Sequence, residues 1–143
     1  MPEIHRFALV PHAPSRMFEL VRDVSSYPEF LPWVRGAEVH EESEALQVAT
    51  LDVRVAGISR RFTTRNTLIQ DEKLSMALEK GPFDELSGHW EFKPLGSAGT
   101  RVSLDLFFHL PGSMLMLPFQ RGFGRVADRM VDDFCRRADQ IHG

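Results

Sequence analysis

The residue types that carry most enzyme chemistry are thinly spread along this chain. Six histidines, His5, His12, His40, His89, His109 and His142, stand apart, and no pair has the spacing of a zinc helix or knuckle. No metal site is expected. The single cysteine, Cys135, has no local partner signature, and no Gly-x-Ser-x-Gly elbow is present. Gly122-Phe123-Gly124 is a lone Gly-x-Gly inside a helical stripe. It does not come after a strand, so it reads as a close approach or a kink and not as a phosphate loop. No residue is nominated as catalytic, and the chain reads as a non-enzyme.

Two sets of residues remain that suit binding. The first is apolar: Phe30, Trp33, Phe62, Trp90, Phe92, Phe119 and Phe123, joined by Val53, Thr64, Met76, Leu78 and Met130. A solid core and a ligand cavity use the same residue types, so these residues alone leave both readings open. Met76, Met114, Met116 and Met130 add adaptable side chains suited to a flexible apolar ligand. Thr64, Asn66, Trp90 and His109 are the candidates for hydrogen bonds to a polar head group. The second set is basic. Arg54, Arg61 and Arg65 fall on the polar face of neighbouring strands, with Arg60 at the turn. That stripe is either a solvated face balanced by Asp52 and nearby acids or a contact for phosphates of ribosomal RNA or lipid head groups. Met114, Leu115, Met116 and Leu117 open the last helix with unusual apolarity, by packing over the sheet rim or by touching a membrane.

The elements that must position these residues can be read from periodicity. Glu3 to Val10 alternates as a first strand, and Pro11 and Pro14 end it. Ser15 is placed to cap a short helix through Met17, Phe18, Leu20, Val21 and Val24. Pro28 and Pro32 limit the segment from Ser25 to Trp33 to a helical turn and a loop. Six strands come next, over 34–41, 46–55, 58–68, 74–79, 86–92 and 101–109. Each alternates apolar and polar residues, as in an antiparallel sheet covered on one side. Pro111-Gly112-Ser113 starts one long helix to Gly143, with Phe119, Phe123, Val126, Met130, Phe134 and Ile141 on its inner stripe. Asp132–Arg136 and Asp133–Arg137 are in the favourable i,i+4 order. One strand, two short helices, six strands and a long helix make an α+β helix-grip arrangement: a curved antiparallel sheet of about seven strands around the C-terminal helix.

Composition narrows the function classes. The 143 residues suit a single domain, 1–143, able to bury a core without disulfides. A net charge of -3 argues against a global pull toward nucleic acid, and no DNA partner is expected. No signal peptide opens the chain, and no apolar run reaches the length of a membrane span. A cytoplasmic protein is expected, at most peripheral at the inner face of the membrane.

Five segments carry a resemblance: Tyr27-Pro28-Glu29-Phe30-Leu31-Pro32-Trp33, Phe62-Thr63-Thr64-Arg65-Asn66, Gly81-Pro82-Phe83, Gly88-His89-Trp90-Glu91-Phe92 and Phe134-Cys135-Arg136-Arg137-Ala138. In register over nearly the whole chain, they resemble the START-like family of coenzyme Q-binding proteins, whose bacterial RatA-type branch is described as ribosome-association-inhibiting toxins. The resemblance implies a START-like, Bet v 1-like fold with an elongated apolar cavity. It implies binding of ubiquinone or a related isoprenoid quinone, without a catalytic cofactor, in support of respiration. The RatA-type branch implies binding to the large ribosomal subunit. Polyketide cyclase or aromatase activity, also attached to the wider family, ranks last because the inward positions supply no acid/base pair.

Overall fold

A computed structural model describes residues 3–97, 99–112 and 116–142. Seven strands form one antiparallel sheet: β1 (Glu3–Val10), β2 (Val34–Glu42), β3 (Leu46–Val55), β4 (Ile58–Ile69), β5 (Lys73–Lys80), β6 (Glu85–Leu95) and β7 (Gly99–His109). Their order across the sheet is β1-β7-β6-β5-β4-β3-β2. β2 to β7 is therefore a meander of hairpins, while the step from β1 to β2 crosses from one edge to the other. α1 (Pro14–Arg22) and a 3-10 turn (Val24–Glu29) make that crossing. They close one end of the concave face. α2 (Leu117–Asp128) and α3 (Met130–His142) lie over the rest of it. This is the helix-grip fold that the element order predicts.

The strand bounds agree with the alternation to within a few residues at each end. β6 runs on through Pro94, which pairs with Thr100 beside the closing turn. Proline is tolerated there because the ladder is ending. The start of α1 differs from expectation: Ala13 is the N-cap, without a side-chain cap bond, and Pro14 takes the first turn. Proline suits that place, since its missing N–H is one that the helix leaves unpaired anyway.

The C-terminal cover is two helices, not one. The chain tightens at Arg129, whose N–H reaches Val126 O at 3.2 Å, and resumes the helix when Asp133 N bonds Arg129 O at 2.9 Å. That single tight step turns the inner face. Beyond it Val131, Phe134 and Ala138 are buried, Met130 is half-buried like Val126 before the step, and Ile141 is 48% exposed. The expected i,i+4 pairs do not form. Arg136 pairs with Asp133 at 3.3 Å, and Arg137 reaches Glu29 in the 3-10 turn at 2.9 Å. The glycines are not the kink. A Cβ on Gly122 would sit 2.3 Å from Val55 Cγ1, so this glycine lets α2 approach the β3–β4 hairpin closely.

Two polar ties hold the helices to the sheet. Arg6 of edge strand β1 grips Asp128 with two hydrogen bonds, of 2.7 and 2.6 Å. The pairing holds the Asp128 carboxyl below its ordinary range. Buried His12 bonds Asp139 of α3 at 2.7 Å, and its carbonyl accepts from Thr100 Oγ1 at 2.6 Å.

Candidate functional site

Between the helices and the concave sheet lies a cavity with about 70 Å³ open to the centre of a water molecule. Its floor is built by inward positions of five consecutive strands: Ala49 and Leu51 of β3, Phe62, Thr64 and Asn66 of β4, Leu74 and Met76 of β5, Leu86 and Trp90 of β6, and Leu104 and Leu106 of β7. The period-2 alternation puts each of these on the same side. Phe123 of α2 and Met130 of α3 form the roof, and Val24, Tyr27 and Trp33 close the end beside the 3-10 turn.

Of the twelve residues nominated for the cavity, Trp33, Phe62, Thr64, Met76, Trp90, Phe123 and Met130 line it. The other five stand outside the lining. Phe119 is fully buried behind Phe123, with the rings stacked at 6.0 Å. Phe92 lies behind Trp90, nearly parallel at 6.4 Å, and braces it against Phe18 at 5.8 Å. Phe30 packs edge-on against Phe134 at 5.0 Å, under the Arg137 guanidinium. Val53 is buried core, and Leu78 is half-buried against it. These five hold the walls in place. Where the resemblance implies an elongated cavity, this structure holds a small one, of about 70 Å³.

The polar groups of the site divide sharply. His109 is not among them: it lies outside the lining and bonds Asp84 at 3.0 Å. Tyr27 is the one lining residue with an ordinary titratable group. Its hydroxyl is committed to Val21 O, and burial pushes the phenol well above its usual range. Asn66 bonds Gln47, a fully buried residue that sequence reading passed over. A signal for this pair existed. The two-residue turn Ala56-Gly57, with φ of 52° and 75°, sets the β3–β4 register and places Gln47 directly opposite Asn66. Val24, Tyr27 and Ala49 were also missed, because small and half-helical positions carry no strong periodic signal.

The basic set is spread over more than one surface. Arg54, Arg61 and Arg65 are exposed at alternate positions of β3 and β4. Arg61 meets Asp52 at 3.1 Å and Glu38 at 3.6 Å, and Arg65 lies 3.9 Å from Glu79. Arg60 is not at the turn. It sits inside β4 at an alternate position to Phe62 and donates to Met116 Sδ at 3.2 Å, just before α2. Of the apolar helix start, Met114 and Leu115 lie outside the described residues. Met116 packs on the core, and Leu117 is 37% exposed. No helix among the described residues is long and apolar enough to cross a membrane, and none of their His, Cys, Asp or Glu residues group into a metal site.

Cys135 is half-buried, and its thiol is pushed up to about 11 by burial, then by Asp132 and Asp139. Since the thiolate is the reactive form, alkylation at pH 8 should run about a hundredfold slower than for an ordinary cysteine. It should accelerate as pH rises toward 11. A rate equal to that of a free thiol would contradict this burial.

Residues 10–135 match the family model described as polyketide cyclase / dehydrase and lipid transport. The chain belongs to this family. It is 46% identical over 140 residues to the Pseudomonas aeruginosa protein named ribosome association toxin RatA, covering 98% of this chain and 97% of that one. It is also similar, at 30% identity over 87 residues, to the mitochondrial coenzyme Q-binding protein COQ10 of Drosophila melanogaster. That match spans 60% of this chain and 36% of the fly protein. Among solved structures, TTHA0849 from Thermus thermophilus superposes with a TM-score of 0.85 at 22% identity, over 99% and 100% of the two chains. The Zhui aromatase/cyclase from Streptomyces superposes at 0.83 with 20% identity, over 96% and 93%. At such identities the likeness speaks for the shared fold. The sequence resemblance to the START-like family and its RatA-type branch is thereby borne out.

Proposed function

We propose that this protein binds the ring of ubiquinone or a related isoprenoid quinone in the apolar cavity, as a carrier or chaperone that supports respiration without transforming its ligand. The observation behind this reading is the make-up of the lining. Thirteen of its sixteen residues are Val, Ala, Leu, Met, Phe or Trp, and its single titratable side chain, Tyr27, is already bonded. Such a wall holds a flat apolar ring and gives no acid/base pair for a cyclase reaction. At about 70 Å³ the cavity has roughly half the ~150 Å³ of an apolar cavity that takes one aromatic ring, so a ring enters as the adaptable Met76 and Met130 side chains of the wall give way. The family's lipid-transport description and the COQ10 relative point the same way. Organic extraction and mass spectrometry of the purified protein test it. A co-purifying isoprenoid quinone is expected, and protein that neither carries nor takes up quinone would refute it.

A second reading concerns the outer surface: binding to the large ribosomal subunit and interference with subunit joining. It is favoured by the full-length likeness to a protein named for ribosome association and by exposed Arg54, Arg61 and Arg65. These side chains alternate away from the cavity. Replacing all three with serine should spare quinone retention and weaken co-migration with the large subunit in sucrose gradients. Wild-type co-migration should also fall with rising salt, because arginine contacts release counterions from phosphates. Loss of quinone with ribosome binding intact would invert the assignment of faces. No change in either assay would leave the stripe a solvated surface.

A further inference from the structure

The buried amides beside the cavity form a chain with a fixed direction. Gln47 Nε2 donates to Arg22 O at 2.8 Å and to Glu42 Oε2 at 2.9 Å. Both partners are acceptors only, so the nitrogen of Gln47 must face them and its oxygen must face the other way. That oxygen accepts from Asn66 Nδ2 at 2.9 Å. Turning the Asn66 amide over would bring two carbonyl oxygens together at that distance. The Asn66 orientation is therefore dictated by Glu42 and Arg22 through Gln47. Its Oδ1 is left buried and without a partner, on a residue that is 4% exposed and lines the cavity. A second lining residue, Trp33, has a buried Nε1–H that is also without a partner. Both lining residues thus carry an unpaired group, one acceptor whose sense cannot reverse and one donor; each is covered in this structure and is uncovered as the wall gives way to a ring.

We propose that Asn66 Oδ1 accepts a hydrogen bond from a ring hydroxyl, so that the cavity selects the reduced, hydroquinone form of its ligand over the oxidised quinone. This rests on the quinone reading above and adds the redox state to it. The oxygens of a quinone only accept. Set against Asn66 they leave two acceptors facing each other and the buried carbonyl unpaired. A hydroquinone turns an O–H toward the same atom. Trp33 does not discriminate, because carbonyl and hydroxyl oxygens both accept from its N–H. The choice between forms falls to Asn66, and Gln47 acts as its positioning residue.

The test titrates decylubiquinone and its hydroquinone separately and anaerobically into delipidated protein, monitored by fluorescence of Trp33 and Trp90. The hydroquinone is expected to bind about tenfold tighter. The midpoint potential of the bound two-electron couple should then rise by about 30 mV. Asn66→Leu, with its fold checked by circular dichroism, should abolish the preference while still binding the quinone. Gln47→Leu, which frees the Asn66 amide to rotate, should reduce it. Equal affinity of the two forms for the wild-type protein, or a preference for the quinone, would overturn the inference and leave the quinone reading standing. A preference that survives in folded Asn66→Leu would overturn it as well. Binding of neither form would refute both.

Discussion

Replacing Trp90 with alanine is expected to lower stability by about 3–5 kcal/mol. For a chain of this length that is a fall of roughly 10–15 °C in Tm. The indole is 1% exposed, lies nearly parallel to Phe92 at 6.4 Å and meets Phe134 edge-on at 5.1 Å. Its removal leaves a void joined to the cavity already present, which neighbours on a rigid strand cannot close. Ligand retention should fall as well, because the indole is part of the wall against which a ring packs. The two effects separate if quinone content is compared at matched folded fraction, with chemical denaturation giving the stability. A folded variant that retains quinone at the wild-type level would take Trp90 out of the site.

Trp90 was legible because it stands in a strict alternation, Leu86, Gly88, Trp90 and Phe92, and such a row can face only one way. The same logic placed Phe62, Thr64 and Met76. It failed where burial and lining part company. Phe92 and Phe119 are as apolar and as buried as their neighbours, but they brace the wall from behind. Which of two inward aromatics touches the void depends on sheet coiling and on the approach of α2, and neither is written in a local period. The break at Arg129 was hidden for a related reason. No proline or glycine marks it, and the apolar stripe runs through it with one changed step, from Ala127 and Val131 to Phe134. The Gln47–Asn66 pair was legible in principle. The Ala56-Gly57 turn fixes a register in which 47 faces 66, just as 52 faces 61. Two amides facing each other on an otherwise apolar face are a buried polar pair, and such pairs must satisfy one another.

The curvature that makes room for a cavity depends on Gly88, and Gly88→Ala should be the most disruptive single methyl added to the sheet. Gly88 belongs to the inward row of β6 and pairs with Leu106 of β7 and Met76 of β5. A Cβ built on it would lie 2.2 Å from Asp105 O and 2.9 Å from Leu106 Cα. These are backbone atoms of the adjoining strand, so no rotamer change relieves the clash. β6 and β7 must separate or uncoil, at a cost at the upper end of the roughly 1–3 kcal/mol that overpacking incurs. Gly36→Ala is the matched control. The change is the same and also lies in a strand, but its nearest contact is Asp52 Oδ2 at 3.1 Å, the mobile end of a half-exposed side chain. Losing glycine's excess freedom in the unfolded chain favours both variants equally, so the difference between them isolates the close approach. Equilibrium denaturation should show Gly36→Ala near wild type and Gly88→Ala well below it. Where Gly88→Ala remains folded, its quinone content should be reduced, because a flatter sheet brings Trp90 and Leu104 away from their places around the void. Equal stability of the two variants would mean that the strands yield at Gly88, and that the curvature of the grip is set elsewhere in the sheet.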